Sequence, residues 1–133
     1  MTTLEEDYMI YFNEKYCKIR MYEKEPLLLH CEWLSDTDES RYLKAMKKIL
    51  DLIKAKQLKL LMIDRRHLKH VTPENLTWTY TEWQDKLIAN GCQKLAIIDE
   101  SIAHLEESSK WKQPLQVEYF HHIEKAAEWC RNS

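Results

Sequence analysis

A run of cationic and imidazole side chains follows directly after one apolar segment of the chain. Asp64 closes that segment, and Arg65, Arg66, His67 and His70 come next. In open α/β sheets, ligands bind in the crevice beyond the carboxyl ends of the strands, and the start of a following helix adds partial positive charge. These residue types therefore favour docking of an anionic ligand or of an acidic loop of a protein partner. The alternative is a solvated basic loop whose charge is balanced by nearby carboxylates.

The same residues also allow two catalytic interpretations. His67 or His70 would act as a general base with Asp64 orienting the imidazole, or Asp64 and Asp99 would form a carboxylate pair at two strand ends. Helix capping, or pairing of Asp64 with Arg65, explains the carboxylates more simply. A hydrolase or transferase also needs a positioned nucleophile or a cofactor. The sequence shows neither, so we expect the protein not to be an enzyme.

Residues that can ligate metals are present, but their spacing is poor. The nearest approaches to a zinc site are His67-x-x-His70 with Asp64 upstream and the adjacent His121 and His122. Neighbouring residues of a helix point about 100° apart, and neither spacing is that of a closed zinc site. The chain also has four cysteines without a C-x-x-C pair, which we interpret as buried free thiols. They are Cys17, Cys31, Cys92 and Cys130. We expect no metal and no cofactor.

The chain contains one glycine, Gly91, among 133 residues. Glycine lets backbone amides close around a phosphate, or bend sharply enough to present a nucleophile. A phosphate-binding loop, a dinucleotide-binding fingerprint and a G-x-S-x-G elbow are therefore all excluded.

Composition and charge limit the class of protein and its partners. The 133 residues fit one domain, residues 1–133 with a core over about residues 8–130. A net charge of -2 gives no global field toward nucleic acid or an anionic membrane. The first residues, Met1–Asp7, are acidic where a signal peptide would be basic, and no apolar run approaches the roughly 18 residues that span a bilayer. We expect a cytoplasmic protein that binds no nucleic acid and does not insert into membranes.

The N-terminal part of the chain predicts three strands and a helix. Tyr8–Phe12 is a short apolar run typical of an edge strand. Tyr16–Tyr22 alternates with period two, as in a strand with one solvated face, and Leu27–Trp33 returns as its hairpin partner. A helix then begins with a capping box at Asp36 and extends to about Lys56.

The rest of the chain alternates strand and helix patterns. Leu58–Ile63 is apolar enough for a central strand covered on both faces. Lys94–Ile98 predicts the next strand and Ser101–Glu107 a short helix. Leu115–Phe120 predicts the last strand, and His121–Cys130 a final helix with one apolar face.

A longer helix lies between these strands. Thr72 is placed as its N-cap and Pro73 as its first residue, so a cap explains Thr72 more simply than a phosphorylation site does. The helix ends before Gly91, which supplies a left-handed residue. Trp78 lies off the apolar stripe and is a candidate for a partner surface. The stripe itself predicts core residues Leu76, Tyr80, Trp83 and Leu87.

These elements predict an α/β fold: an N-terminal β-hairpin followed by βαβαβα alternation, in a mixed, mostly parallel sheet with flanking helices. Its pattern resembles the STAS-like fold, named for sulphate transporters and antagonists of anti-sigma factors, and in particular small uncharacterised STAS-like proteins of bacteria. The resemblance rests on Glu32-Trp33, on Leu60–Asp64, on Ala96–Ile98 and on Phe120-x-x-Ile123 followed by Ala127-x-Trp129.

The resemblance implies a binding module rather than an enzyme. In partner-switching antagonists, the strand ending in Asp is followed by an Asp-Ser-Ser-Gly-like turn whose serine is phosphorylated. Residues 64–73 of this chain contain no such serine. Classical phosphoserine switching is therefore not expected here.

Three functions follow as expectations. The preferred one is a regulatory module that recognises a protein partner through the Asp64–Thr72 loop and the second helix, with Trp78 on its exposed side. The alternative is a carrier of a small apolar or anionic ligand held between helix and sheet, and the third is a small hydrolase. A homodimer is compatible with each of them.

Overall fold

In the part of the chain that the structure describes, six strands form one sheet whose spatial order follows the sequence. The computed structural model describes residues 3–100 and 104–132. Strands β1 to β3 pair antiparallel, and β3 to β6 pair parallel. This confirms the predicted mixed sheet with an N-terminal hairpin. The strands are β1 (Tyr8–Asn13), β2 (Cys17–Tyr22), β3 (Leu28–Trp33), β4 (Leu60–Asp64), β5 (Lys94–Ile98) and β6 (Gln116–Phe120).

Helices cover both faces of the sheet. Crossovers that advance in one direction along a parallel sheet place their helices on the same face, and the first two long connections do so here. The final helix covers the opposite face. The helices are α1 (Glu39–Lys56), α2 (Pro73–Trp78), α3 (Gln84–Ala89), α4 (His104–Glu107) and α5 (Ile123–Arg131). The first three residues of the helix predicted from Ser101 lie outside the described residues.

Alternation along the central strands divides the apolar side chains between two cores. Leu61 and Ile63 of β4 belong to the main core with α1 and α3, whereas Met62 packs with Ile123 and Ala126 of α5. Both faces of β4 are therefore apolar, because each one is covered by a helix. The predicted central strand is confirmed.

The start of α1 differs from the prediction. Asp38, not Asp36, is the N-cap, and its carboxylate accepts a hydrogen bond from the Arg41 backbone N–H at 2.9 Å. Asp36 instead accepts the backbone N–H groups of Lys69 and His70 at 2.5 and 3.0 Å. Aspartate is a preferred N-cap residue at either position, and the carboxylate of the first one, Asp36, is bound by the loop after β4 instead.

The solvated face predicted for β2 is wrong. Arg20 is 3% exposed, because a carboxylate from β3 and the ring of Tyr8 from β1 enclose it. Its Nη2 donates to Glu32 Oε1 at 3.2 Å, and its guanidinium lies 5.2 Å from the centre of the Tyr8 ring. Period-two alternation identified the strand, but it cannot distinguish a solvated face from a buried ionic one.

The second helix is interrupted by a π-helical turn, Thr79–Trp83, between α2 and α3. The Trp83 indole N–H donates to the carbonyl oxygen of Met46 on α1 at 2.9 Å. The Tyr42 hydroxyl of α1 lies 2.8 Å from Thr79 Oγ1, which itself donates to the Asn75 carbonyl. π-Helical turns are frequent at functional sites, and Thr79, Tyr80 and Trp83 of this one line a cavity above the main face of the sheet.

The ends of this helix agree with the sequence. Thr72 Oγ1 accepts the Asn75 backbone N–H at 3.2 Å, which confirms Thr72 as the N-cap. Gly91 has a φ of 99°, which confirms the left-handed residue after the helix.

The edge strand β1 is confirmed and carries large apolar side chains. Tyr8, Met9 and Ile10 are 40%, 50% and 45% exposed. Among the described residues, they are the large apolar side chains that are exposed, and they lie in the strand at the edge of the sheet.

Candidate functional site

A cleft of about 570 Å³ opens between α1, the α2–α3 helix and the main face of the sheet. Volumes of 300–1,000 Å³ are usual for sites that enclose a small molecule. Its floor is apolar and consists of strand side chains, among them Trp33, Ile63, Leu95 and Ile97. The exposed part of its lining, Lys69 and His70 on one segment and Glu106 and Lys110 on another, is called the mouth of the cleft.

A buried glutamine fixes the segment after α4, whose residues Lys110 and Trp111 line the cleft. Gln84 is fully buried, its side-chain nitrogen donates to the Lys110 carbonyl at 3.1 Å, and its side-chain oxygen accepts the Lys112 backbone N–H at 2.7 Å. Because one side chain holds both backbone groups, the segment after α4 is anchored to α3. The cleft therefore has a defined second wall.

Arg65, Asp99 and Glu107 form an ionic group in the cleft, which we call the acidic cluster. Arg65 Nε donates to Asp99 Oδ2 at 2.7 Å, and its two terminal nitrogens donate to the two Glu107 oxygens at 2.9 and 2.6 Å. The three side chains are 21%, 12% and 10% exposed. Burial lowers the pKa of the Arg65 guanidinium, but the bonds to Glu107 and Asp99 outweigh it, so its pKa is raised. Counted over these three side chains, two carboxylates and one guanidinium carry one excess negative charge.

Aromatic side chains surround the acidic cluster. Tyr80 and Trp111 both line the cleft and meet edge to face, with ring centres 5.3 Å apart. The Trp111 indole N–H donates to the Tyr119 hydroxyl at 2.8 Å, and the Arg65 guanidinium lies 5.8 Å from the centre of the Tyr119 ring. Burial, and next the charge of Glu107, raise the pKa of Tyr80 to about 12. Tyr80 therefore stays a neutral hydrogen-bonding group at physiological pH.

The predicted loop residues do not converge on one point. Arg65 points into the cleft, whereas Arg66 turns back to Asp64, with its Nε and Nη2 at 3.0 and 2.7 Å from the two carboxylate oxygens. The expected pairing of Asp64 with Arg65 is therefore replaced by pairing with Arg66. Both arginines are occupied by carboxylates, so neither offers a vacant guanidinium to an anion.

The histidines and Trp78 lie apart from these pairs. His67 and His70 are exposed, and no hydrogen bond between described residues joins either imidazole to Asp64, whose carboxylate is held by Arg66. The geometry needed for a general base oriented by Asp64 is not formed. Trp78 is half-buried and packs against the main core, so only part of its ring faces solvent.

A second buried polar group lies on the opposite face of the sheet. His30 on β3 is fully buried, and its Nδ1 lies 3.2 Å from Arg20 Nη1 and 3.2 Å from the Tyr22 hydroxyl. Its Nε2 has no partner among the described residues. Burial, and next the charge of Arg20, lower the pKa of His30 from 6.5 to about 3.

Sequence reasoning missed several residues of the site. Glu107, Tyr80 and Trp111 line the cleft, and Gln84 anchors the segment that carries Trp111. Tyr80 could have been suspected as a site residue, because it lies on an apolar stripe yet carries a hydroxyl. No local signal marks Glu107 as the partner of Arg65, because 42 residues separate them.

The described residues form neither a metal-binding group nor a membrane-spanning helix. No group of three or more histidine, cysteine or acidic side chains is arranged to hold a metal ion. None of the described helices is both long and apolar enough to cross a bilayer.

Comparison with known proteins identifies the fold. No protein-family model and no curated protein matches the chain. Among solved structures, it is similar to an uncharacterized protein of the DUF3478 family with a SpoIIAA-like fold from Shewanella loihica PV-4. The TM-score is 0.66 at 14% identity, over 90% of this chain and 98% of that chain. The chain has a SpoIIAA-like fold. The STAS-like resemblance drawn from the sequence is thereby confirmed for the architecture.

Proposed function

We propose that this SpoIIAA-like protein is a non-enzymatic binding module that holds a small amphipathic molecule in the cleft beneath the α2–α3 helix. The observation that carries the proposal is the cleft itself, about 570 Å³ with an apolar floor and polar groups gathered at one end. A site with these properties is the usual form of a small-molecule site. Among the functions expected from the sequence, the carrier fits this geometry best.

Binding rather than catalysis fits the state of the polar groups. The carboxylates near the cleft that could act as bases are already engaged: Glu107 with Arg65, and Asp64 with Arg66. A hydrolase would need one of these groups to be held against a reacting atom. The described residues of the cleft are arranged instead as a fixed polar end and an apolar floor.

Native mass spectrometry of gently purified protein tests the proposal, together with ligand-observed NMR using 4-phenylbutanol as a neutral probe. Leu76 lines the cleft, so Leu76→Trp should fill it and abolish both the bound mass and the NMR signal. Thr77 is exposed on the same helix, so Thr77→Trp is the matched control and should behave like the wild type. A clean apo mass with no NMR signal for the wild-type protein would refute the proposal.

A protein partner at the mouth of the cleft is the second candidate. Its support is the exposed loop around Lys69 and His70, whose backbone is fixed by Asp36 rather than free. A fixed, exposed and basic loop suits an acidic segment of a partner. A homodimer stays a prediction, which light scattering of the purified protein tests directly.

Charge reversal at exposed positions of the loop tests the protein partner. Arg65→Glu would place a third carboxylate in the acidic cluster and disturb the fold. His67→Glu with Lys69→Glu reverses charge on exposed positions only. A partner captured by chemical crosslinking from the native host should be lost with this double variant and kept with the exposed control Glu128→Gln. Equal capture by both variants would contradict recognition through the loop.

A further inference from the structure

The polar end of the cleft has a definite sign of charge. Three of the donor groups of Arg65 are bound by carboxylate oxygens, two from Glu107 and one from Asp99. A ligand carboxylate at this end would be repelled by the two carboxylates of the cluster, because the Arg65 guanidinium is already paired with both of them. A ligand cation would meet the excess negative charge in a region that is mostly shielded from water, where electrostatic attraction is stronger than at the surface.

Aromatic groups strengthen the same preference. Tyr80 and Trp111 line the cleft beside the cluster, and the Trp111 indole N–H is already bound to Tyr119. The electron-rich faces of such rings attract cations. Carboxylates combined with aromatic rings are the arrangement by which proteins recognise organic ammonium groups.

The charges at the mouth are of both signs and exposed. Lys69 and Lys110 oppose Glu106 there, and all three side chains reach solvent. Exposed charges are screened by salt and contribute little to selectivity. The buried cluster therefore has the larger influence on the charge of the occupant.

We infer that the cleft selects an alkyl or arylalkyl ammonium compound, with its ammonium group at Glu107 and Asp99 and its apolar part on the floor formed by Ile63, Leu95 and Ile97. The inference rests on the proposed function, because it needs the cleft to hold a ligand. It replaces the anionic ligand expected from the basic sequence by a cationic one. The reason is that the two arginines that suggested an anion are both neutralised.

The test compares three ligands that share one apolar group and differ only in the charge of their polar group. Binding of 4-phenylbutylammonium, 4-phenylbutanol and 4-phenylbutanoate is measured by calorimetry at pH 7 and low salt. A charge-assisted hydrogen bond predicts that the ammonium compound binds about tenfold tighter than the alcohol, with the carboxylate weakest. Carboxylate binding equal to or tighter than ammonium binding would overturn the inference and favour the anionic ligand.

Glu107→Gln separates the role of the cluster from that of the cleft. The variant removes the excess negative charge, so the ammonium preference should fall by about tenfold and the three compounds should bind alike. Retained binding of the alcohol shows that the cleft is intact in the variant. Glu128→Gln on α5 makes the same change of net charge on the opposite face of the sheet and should leave the series unchanged.

The outcomes distinguish this inference from the proposed function. If the wild type binds the alcohol but shows no preference for the ammonium compound, the inference fails and the cleft remains a ligand site. If Glu107→Gln keeps the full preference, the cluster is not the cause and the inference also fails. If the wild type binds none of the three compounds, the inference and the proposed function both fail.

Discussion

His30 makes the stability of this fold depend on pH through one buried side chain. Arg20 Nη1 can only donate a hydrogen bond, so His30 Nδ1 is the acceptor. The Tyr22 hydroxyl accepts from the Leu4 backbone N–H, so its own proton can be donated to the same nitrogen. The imidazole is therefore neutral, with its proton on Nε2. Adding a second proton would place a cation in a fully buried position beside Arg20, which is why the pKa falls to about 3.

The sign and size of the effect follow from linkage. In the unfolded chain His30 takes up a proton as the pH falls through about 6.5, whereas in the folded protein it does not until about pH 3. The unfolded state thus binds more protons between these values, so stability decreases as the pH is lowered. With a limiting slope of about 1.4 kcal/mol per pH unit, the loss from this one group between pH 7 and pH 5 is about 2 kcal/mol.

His30→Asn isolates this contribution. The asparagine oxygen can accept from Arg20 and Tyr22 near the position of Nδ1, but the side chain does not titrate. Urea unfolding followed by tryptophan fluorescence at pH 7, 6 and 5 gives the free energy of unfolding of both proteins. The wild type should lose about 2 kcal/mol more than the variant over this range. Parallel profiles would refute the reasoning, because the other histidines are common to both proteins.

Three further outcomes are expected. Tyr42→Phe should lower the free energy of unfolding by about 1 kcal/mol in urea, because it removes the hydrogen bond to Thr79. Gly91→Ala should lower the free energy of unfolding by about 1–2 kcal/mol, because a φ of 99° disfavours a residue with a side chain. The alanine Cβ itself would meet no atom within 4 Å, so an unchanged stability would contradict the backbone argument. Cys92 and Cys130 should react with iodoacetamide at pH 8 only after denaturation, because burial raises the pKa of each thiol to about 12. Rapid labelling of these two thiols in the native protein would contradict this prediction.

The sequence predicted the scaffold well because the scaffold depends on local patterns. The apolar run ending at Asp64, the Thr72-Pro73 helix start and the left-handed Gly91 are each defined by a few neighbouring residues, and each was confirmed. The position of β1 at an edge was also confirmed, because β1 is the first strand in the order of the described sheet.

The errors have one physical origin, which is competition between residues that are far apart in the sequence. Asp36 matches a helix cap, but the loop after β4 takes its carboxylate and leaves the cap to Asp38. Arg20 reads as a solvated residue because its partner Glu32 lies on another strand. Local patterns contain no information about such pairings.

The candidate site was predicted only in part for the same reason. Arg65 follows the end of β4, as the sequence implies, but Asp99 and Glu107 bind its guanidinium. A basic run suggested an anion, whereas the folded arrangement leaves an excess of negative charge. The charge of a site depends on pairs formed in three dimensions, and not on the composition of one segment.

The most direct test of ligand binding in the cleft is a ¹H–¹⁵N correlation titration of the wild-type protein with 4-phenylbutanol. The account predicts saturable shifts of the Trp111 indole N–H and of the backbone amides of Leu76 and Tyr80, with the amides of α5 unchanged. Saturable shifts confined to α5 or to the edge strand β1, or no shifts at all, would contradict it.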